Sequence, residues 1–395
     1  MSFGKVKLDR RTASLLLAAA ALAPVAGKLH PAFGATEQER LVTDIVGRSV
    51  ALPAHVGRIV LLDARDMLSM AMVHPDPSGL VVGWAGPETF DSDLLRRQYD
   101  KFPSGGGPIP IIGGQMANTI SLESILALSP DLVVATAHLE PDLDEGVLTR
   151  RLTAAGIPVI FSNAASNRAS PEDVGQNPIK TLGHVMRMWG AILNREAEAA
   201  AFTAFVEQRL AFIRQRLDGF SPLKTYLELQ STYDDCCWAA GTRIWGDLLG
   251  LAGGRNLTAV DAPWFAKLSI EQLIVEAPEV YMACGGAFAS DIRPAIGPGL
   301  APGIGREGLH RLCQRTGFQT LPAVRDGRVH GIWSGLVSIQ PLNILFVEIA
   351  AKWLHPEVFR DLKPEETLSE INRRFLPHPI DAPCWLSLQE KRHNG

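Results

Sequence analysis

Short apolar runs alternate with helix-like stretches twice along this chain, and a helical pattern from Ile179 to Leu217 separates the two series. The first series holds RIVLL (58–62), LVVGW (80–84), IPII (109–112), the end of SLESILALSPDLVVATA (121–137) and GIPVIFS (156–162). The second holds TYLEL (225–229), the end of SIEQLIVEAPEVYMA (269–283) and RVHGIW (328–333). The runs are short, and most are rich in apolar residues. Such runs alternating with helices predict parallel strands joined by crossovers. The expected fold class is α/β: two Rossmann-like lobes with central, mostly parallel sheets, joined by a single long helix. The boundaries fall at 36–178 for the first lobe, 179–217 for the connecting helix and 218–395 for the second lobe. Within 179–217, apolar residues from Leu182 to Leu193 and from Phe202 to Leu217 recur every three or four positions, and Asn194-Arg195 is a candidate break.

The two series share a segment. SLESILALSPDLVV (121–134) aligns without gaps on SIEQLIVEAPEVYM (269–282), pairing Ser121 with Ser269, Glu123 with Glu271 and Pro130 with Pro278. Each reads as a helix, a proline-marked stop and a strand, with Ser121 a candidate N-cap of the first. This is either a generic helix–proline–strand unit or the trace of two related lobes.

Composition narrows the class. With 395 residues, 46% hydrophobic and 20% charged, the chain is no disordered segment, and five cysteines are too few for a disulfide scaffold. A net charge of −4 argues against a general nucleic-acid binder. The charge is unevenly spread: residues 1–35 carry Lys5, Lys7, Arg10, Arg11 and Lys28 against Asp9 alone. A basic stretch, the short apolar TASLLLAAAALAPVAG and small residues at Ala32, Gly34 and Ala35 make a signal peptide over 1–35. Arg10-Arg11 fits the twin-arginine route. Periplasmic localisation without a lipid anchor is the expectation, since no cysteine lies near the cleavage site.

TDIVGRSVALPAHVGRIVLL, IPIIGG followed by SLESILALSPDLVV, GGRN (253–256), SIEQLIVEAPEVYM, LPAVRDGRVHGIW and AAKWLHPEVFRDL occur in series. In order and spacing the chain thereby resembles the substrate-binding proteins of ABC importers for iron-siderophores, haem and cobalamin, over nearly the whole mature length. The resemblance implies a ligand held between two α/β lobes, no covalent chemistry and no intrinsic cofactor, iron entering only as part of the bound chelate. It implies a monomer that meets the membrane only through an ABC permease dimer, which Glu123 and Glu271 would dock. The alternative for both glutamates is an acidic residue favoured by a helix N-terminus. A ferric siderophore is the expected ligand, with haem or cobalamin as the alternative. The 85–108 segment, Asp234-Asp235-Cys236-Cys237-Trp238 and the Gly/Pro-rich 285–308 loop depart from the family pattern.

A rule independent of that resemblance picks the site. Ligands of open parallel sheets sit beyond the C-terminal ends of strands. Those positions hold Arg65, Trp84, His138, Tyr233, Trp238 and Trp333. Aromatic faces supply apolar area, and arginine pairs with carboxylate or hydroxamate oxygen. The alternative for each tryptophan and for His138 is a place in a lobe core. Adjacent Cys236 and Cys237 are not expected to pair, whereas Cys284 with Cys313 is a candidate disulfide. No CxxC, HExxH or GxSxG occurs, and no histidine spacing suggests a resident metal. One literal GxGxxG spans Gly303–Gly308. A dinucleotide-dependent exported enzyme would need a buried strand before it, and AIGPGLAP cannot supply one.

Overall fold

The computed structural model describes residues 40–102, 106–165 and 178–389. The expected export signal at 1–35 lies outside them. The described chain opens with an antiparallel hairpin, Arg40–Thr43 with Ser49–Leu52, turned at Gly47 with φ 86°. Glycine carries that left-handed conformation without a Cβ penalty.

Five strands then form an all-parallel sheet in the spatial order Ile111–Gly113, Val81–Ala85, Ile59–Leu61, Leu132–Thr136, Val159–Asn163. Strand order reverses between Ile59–Leu61 and Leu132–Thr136, so the crevice beyond their C-terminal ends is a topological switch point. Side chains alternate between faces. Val60, Val82 and Val133 pack into one apolar layer, while Ile59, Leu61 and Val134 enter the opposite one.

The connection is two helices, Pro178–Leu193 and Glu196–Arg216, broken at Asn194 with φ 55°. Their stripe of Val185, Met186, Trp189, Phe202, Phe205 and Ile213 is buried in a core that also takes in Leu61 of the first sheet and Leu227 and Met282 of the second. A shared core of this kind resists relative sliding of the two sheets.

The second sheet is mixed. Its parallel centre is Leu223–Gln230, Val280–Gly285 and Val329–Trp333. One side adds the antiparallel strands Trp238–Ala240 and Phe265–Lys267, the other adds Trp385–Ser387. The repeated segments fold alike: Ser121 caps helix Leu122–Ala127 by accepting from the Ser124 amide, and Ser269 caps Ile270–Glu276 by accepting from the Gln272 amide. Each helix leads into a buried central strand, Leu132–Thr136 or Val280–Gly285.

Gly303–Gly308 lies inside the helix Pro302–Cys313. A Cβ on Gly305 would stand 2.6 Å from Leu386 Cδ2, and one on Gly308 would stand 2.8 Å from Pro294 Cα. These two glycines serve close packing of the helix on its neighbours. The cysteine expectation is reversed. Cys236 and Cys237 form a disulfide, and Cys284, Cys313 and Cys384 are buried free thiols. Strand alternation explains why Cys284 and Cys313 stay apart, since Cys284 faces the core shared with the connecting helices and Cys313 packs in the layer on the other face.

Candidate ligand-binding cleft

A cavity of about 500 Å³ opens where the two sheets face each other. The first lobe lines it with residues from strand ends at the switch point: Leu62, Asp63 and Arg65 after Ile59–Leu61, Ala85 and Gly86 at the end of Val81–Ala85, and His138 after Leu132–Thr136. The second lobe supplies an aromatic wall. Trp238 meets Phe265 at 5.7 Å between ring centroids, Phe265 meets Trp264 at 4.9 Å, and Trp264 stacks on Trp245 at 5.9 Å with planes 19° apart. Across the cleft, the His138 ring lies 4.6 Å from that of Trp264. The indole N–H groups of Trp238 and Trp245 donate to Asp235 Oδ2 and to the Val337 carbonyl, which fixes how these two rings sit.

Of the six ligand residues expected from sequence, the cavity brings together Arg65, His138 and Trp238. The other three do not line it. Trp84 is fully buried against Phe90, at 5.8 Å between centroids. Trp333 is also fully buried, wedged so tightly between Gly297 and Gly335 that a Cβ on either would collide with its ring. Tyr233 packs under the Arg311 guanidinium, 3.6 Å from its ring centroid, beside the helix Pro302–Cys313. A strand end fixes where a residue is but not which face its side chain takes. Trp245, Trp264 and Phe265 were not picked out by the strand-end rule. They come from a helix start and from the antiparallel edge, which a rule for parallel strands does not reach.

The polar side of the cleft is an ion pair. Arg65 grips Asp63 with Nε to Oδ1 at 2.9 Å and Nη2 to Oδ2 at 2.6 Å. Burial works against an ionised Asp63, but the guanidinium more than offsets it and holds the carboxyl below its ordinary range. Beneath the pair, Asp66 accepts from the Ser162 hydroxyl at 2.6 Å. Burial first, and the Asp63 charge second, push Asp66 up to about 8. Burial, then Arg65, lowers His138, so its imidazole is neutral at neutral pH.

Two of the segments that depart from the family pattern meet at the end of the cleft. Asp91, from 85–108, is almost fully buried, receives the Phe288 amide at 2.8 Å and the Ser334 hydroxyl at 2.5 Å, and forms an ion pair with Arg293, Nη2 to Oδ2 at 2.9 Å. Its own carbonyl accepts from Trp333 Nε1 at 3.1 Å. Trp333 therefore anchors the opposite lobe. Glu123 and Glu271 are both exposed, each in the first turn of its helix. Among the described residues, no group of three or more His, Cys, Asp and Glu is placed to hold a metal ion, and no helix is long and apolar enough to cross a membrane.

Two α/β sheets enclosing a solvent-open aromatic cleft define a two-lobed solute-binding protein. The chain belongs to the periplasmic binding protein family, whose match runs over residues 71–334. The fold is shared with a TroA-like periplasmic binding protein, FepB, from Veillonella parvula: the TM-score is 0.72 at 21% identity, over 88% of this chain and 99% of that one. The molybdate-binding protein MolA of Haemophilus influenzae is 21% identical over 85% of this chain and 91% of its own. Its molybdate-bound structure, from an ABC transporter, superposes with a TM-score of 0.66 at 16% identity, over 87% of this chain and all of that one. A vitamin B12-binding protein of Photorhabdus laumondii is 25% identical over 50% of this chain, and the match spans 64% of its own length. These relatives are binding proteins, and this chain is likewise a substrate-binding protein rather than an enzyme.

Proposed function

We propose that this protein is exported to the periplasm, captures a ferric siderophore in the aromatic cleft and delivers it to the permease of an ABC importer. The observation that carries the reading is the run of Trp238, Phe265, Trp264 and Trp245 on one side of a 500 Å³ cavity, with Arg65 and His138 opposite. That volume suits an organic ligand of several hundred daltons and is far larger than an oxyanion needs. Asp63 and His138 are too few donors to strip iron from water, so iron would arrive inside its chelate. Glu123 and Glu271 are the proposed docking residues, supported by their exposure and their matched positions on the two helices.

The near-parallel stack of Trp245 on Trp264 favours a second reading, a flat macrocycle such as haem or cobalamin. Titration of tryptophan fluorescence tests both. Saturable quenching by ferric siderophores, tighter than by haem or cyanocobalamin, supports the first reading; the reverse order selects the second. Failure of all three classes to bind would overturn the proposal.

A further inference from the structure

The charge of the cleft is balanced from within. Its lining holds two formally charged side chains, Asp63 and Arg65, and they are bonded to each other through two nitrogens and two oxygens. Two described cations beside the aromatic wall have acidic neighbours. Lys267, which lies over the Trp238 ring, bonds Asp235 at 2.7 Å, and Arg243, outside the lining, stands 3.6 Å from Asp247. Around these pairs the lining is aromatic, aliphatic or neutral polar: Gln115, Gln230, Thr89, Ser338.

We propose that this cleft selects a chelate whose net charge is near zero and discriminates against polyanionic complexes. The inference rests on the cleft being the ligand site. A polyanion entering here loses its hydration and gains no free positive charge in return. To engage Arg65 it must either displace Asp63 or lie beside that carboxylate, and each option sets like charges close together in a half-buried site. A neutral chelate meets none of these costs. It can lay apolar surface on the indole faces and hydrogen-bond the amides and hydroxyls. Arg65, bound as it is to Asp63, then presents an orienting donor rather than a bare cation.

The experiment is a titration of the purified protein with two charge-contrasted pairs, followed by tryptophan fluorescence. The first pair is a neutral ferric tris-hydroxamate and a trianionic ferric tris-catecholate. The second is uncharged cyanocobalamin and haem, which carries two carboxylates. Within whichever pair binds, the uncharged member should bind about 100-fold tighter, with affinity nearly independent of salt. An anionic member binding equally well or better overturns the charge rule. If only the second pair binds, the siderophore reading fails while the charge rule is still decided by the order within that pair. Binding by neither pair overturns both.

Asp63→Asn gives an independent arm. Freed of its partner, Arg65 should raise affinity for the tris-catecholate about tenfold at low salt and make it salt-dependent. Unchanged anion affinity in a variant with native near-UV circular dichroism overturns the proposal. Should Asp63→Asn not fold, the wild-type panel decides alone.

Discussion

The two lobes match on their outer surfaces and differ where they face each other. Outside, helices Leu122–Ala127 and Ile270–Glu276 carry a capping serine, an exposed glutamate at the second position and an exposed apolar residue three further on, Leu126 or Ile274. Inside, the first lobe gives an ion pair and a histidine from an all-parallel sheet, and the second gives four aromatic rings from a helix start and an antiparallel edge. A partner that contacts both lobes at once favours matched surfaces, whereas a ligand with unlike faces favours unlike walls.

Breaking the outer match should have the largest effect. With Glu123 and Glu271 both changed to alanine, uptake by cells or reconstituted transporter should be abolished while ligand affinity stays at the wild-type value. Normal uptake by the double variant would remove docking from these positions. Each single variant should retain partial uptake, because the other lobe still engages.

The junction between the lobes comes next. Asp91→Ala strands Arg293 in a mostly buried place, and losing one partner of a buried pair costs about 3–5 kcal/mol. Thermal or denaturant unfolding reads this directly, and a loss under about 1 kcal/mol would mean the contact is incidental. The inner walls follow. Trp264→Ala should weaken ligand binding by roughly 1.5–3 kcal/mol, or about 10- to 100-fold, through lost apolar contact. Trp84→Phe, confined to the core, should leave affinity unchanged. Equal effects of the two on binding would refute the assignment of the wall.

The smallest effect is on pH dependence, in the first lobe alone. An unfolded Asp66 loses its proton near its ordinary value of 3.8, but the folded one does so only near 8. Between these values the folded chain holds one more proton than the unfolded chain. Stability therefore falls as pH rises through that window. Asp66→Asn, still able to accept from Ser162, should flatten the decline in urea midpoints measured from pH 5 to 8.

The architecture was legible because burial on both faces writes itself as short apolar runs, and the helix break at Asn194 and the caps at Ser121 and Ser269 follow from local chemistry. The cleft was half legible. Arg65, His138 and Trp238 follow from the strand-end rule, but Trp84 and Trp333 satisfy the same rule and point into core. Their direction depends on packing by Phe90, Gly297 and Gly335, which is tertiary information. Trp264 and Phe265 escaped because Phe265–Lys267 pairs with Trp238–Ala240 across an intervening helix, with no tight turn to announce the pairing. The cysteine pairing was misjudged on geometry alone, since adjacency strains a bridge without forbidding it.

The Asp91 contacts bear on mechanics. The connecting helices fasten the two halves at one place, and the Asp91 cluster fastens them at another. A hinge with a single fastening swings open like a book. With two fastenings, the motion left to the halves is rotation about the line that joins them, and any wider opening of the cleft first has to break the Asp91 contacts.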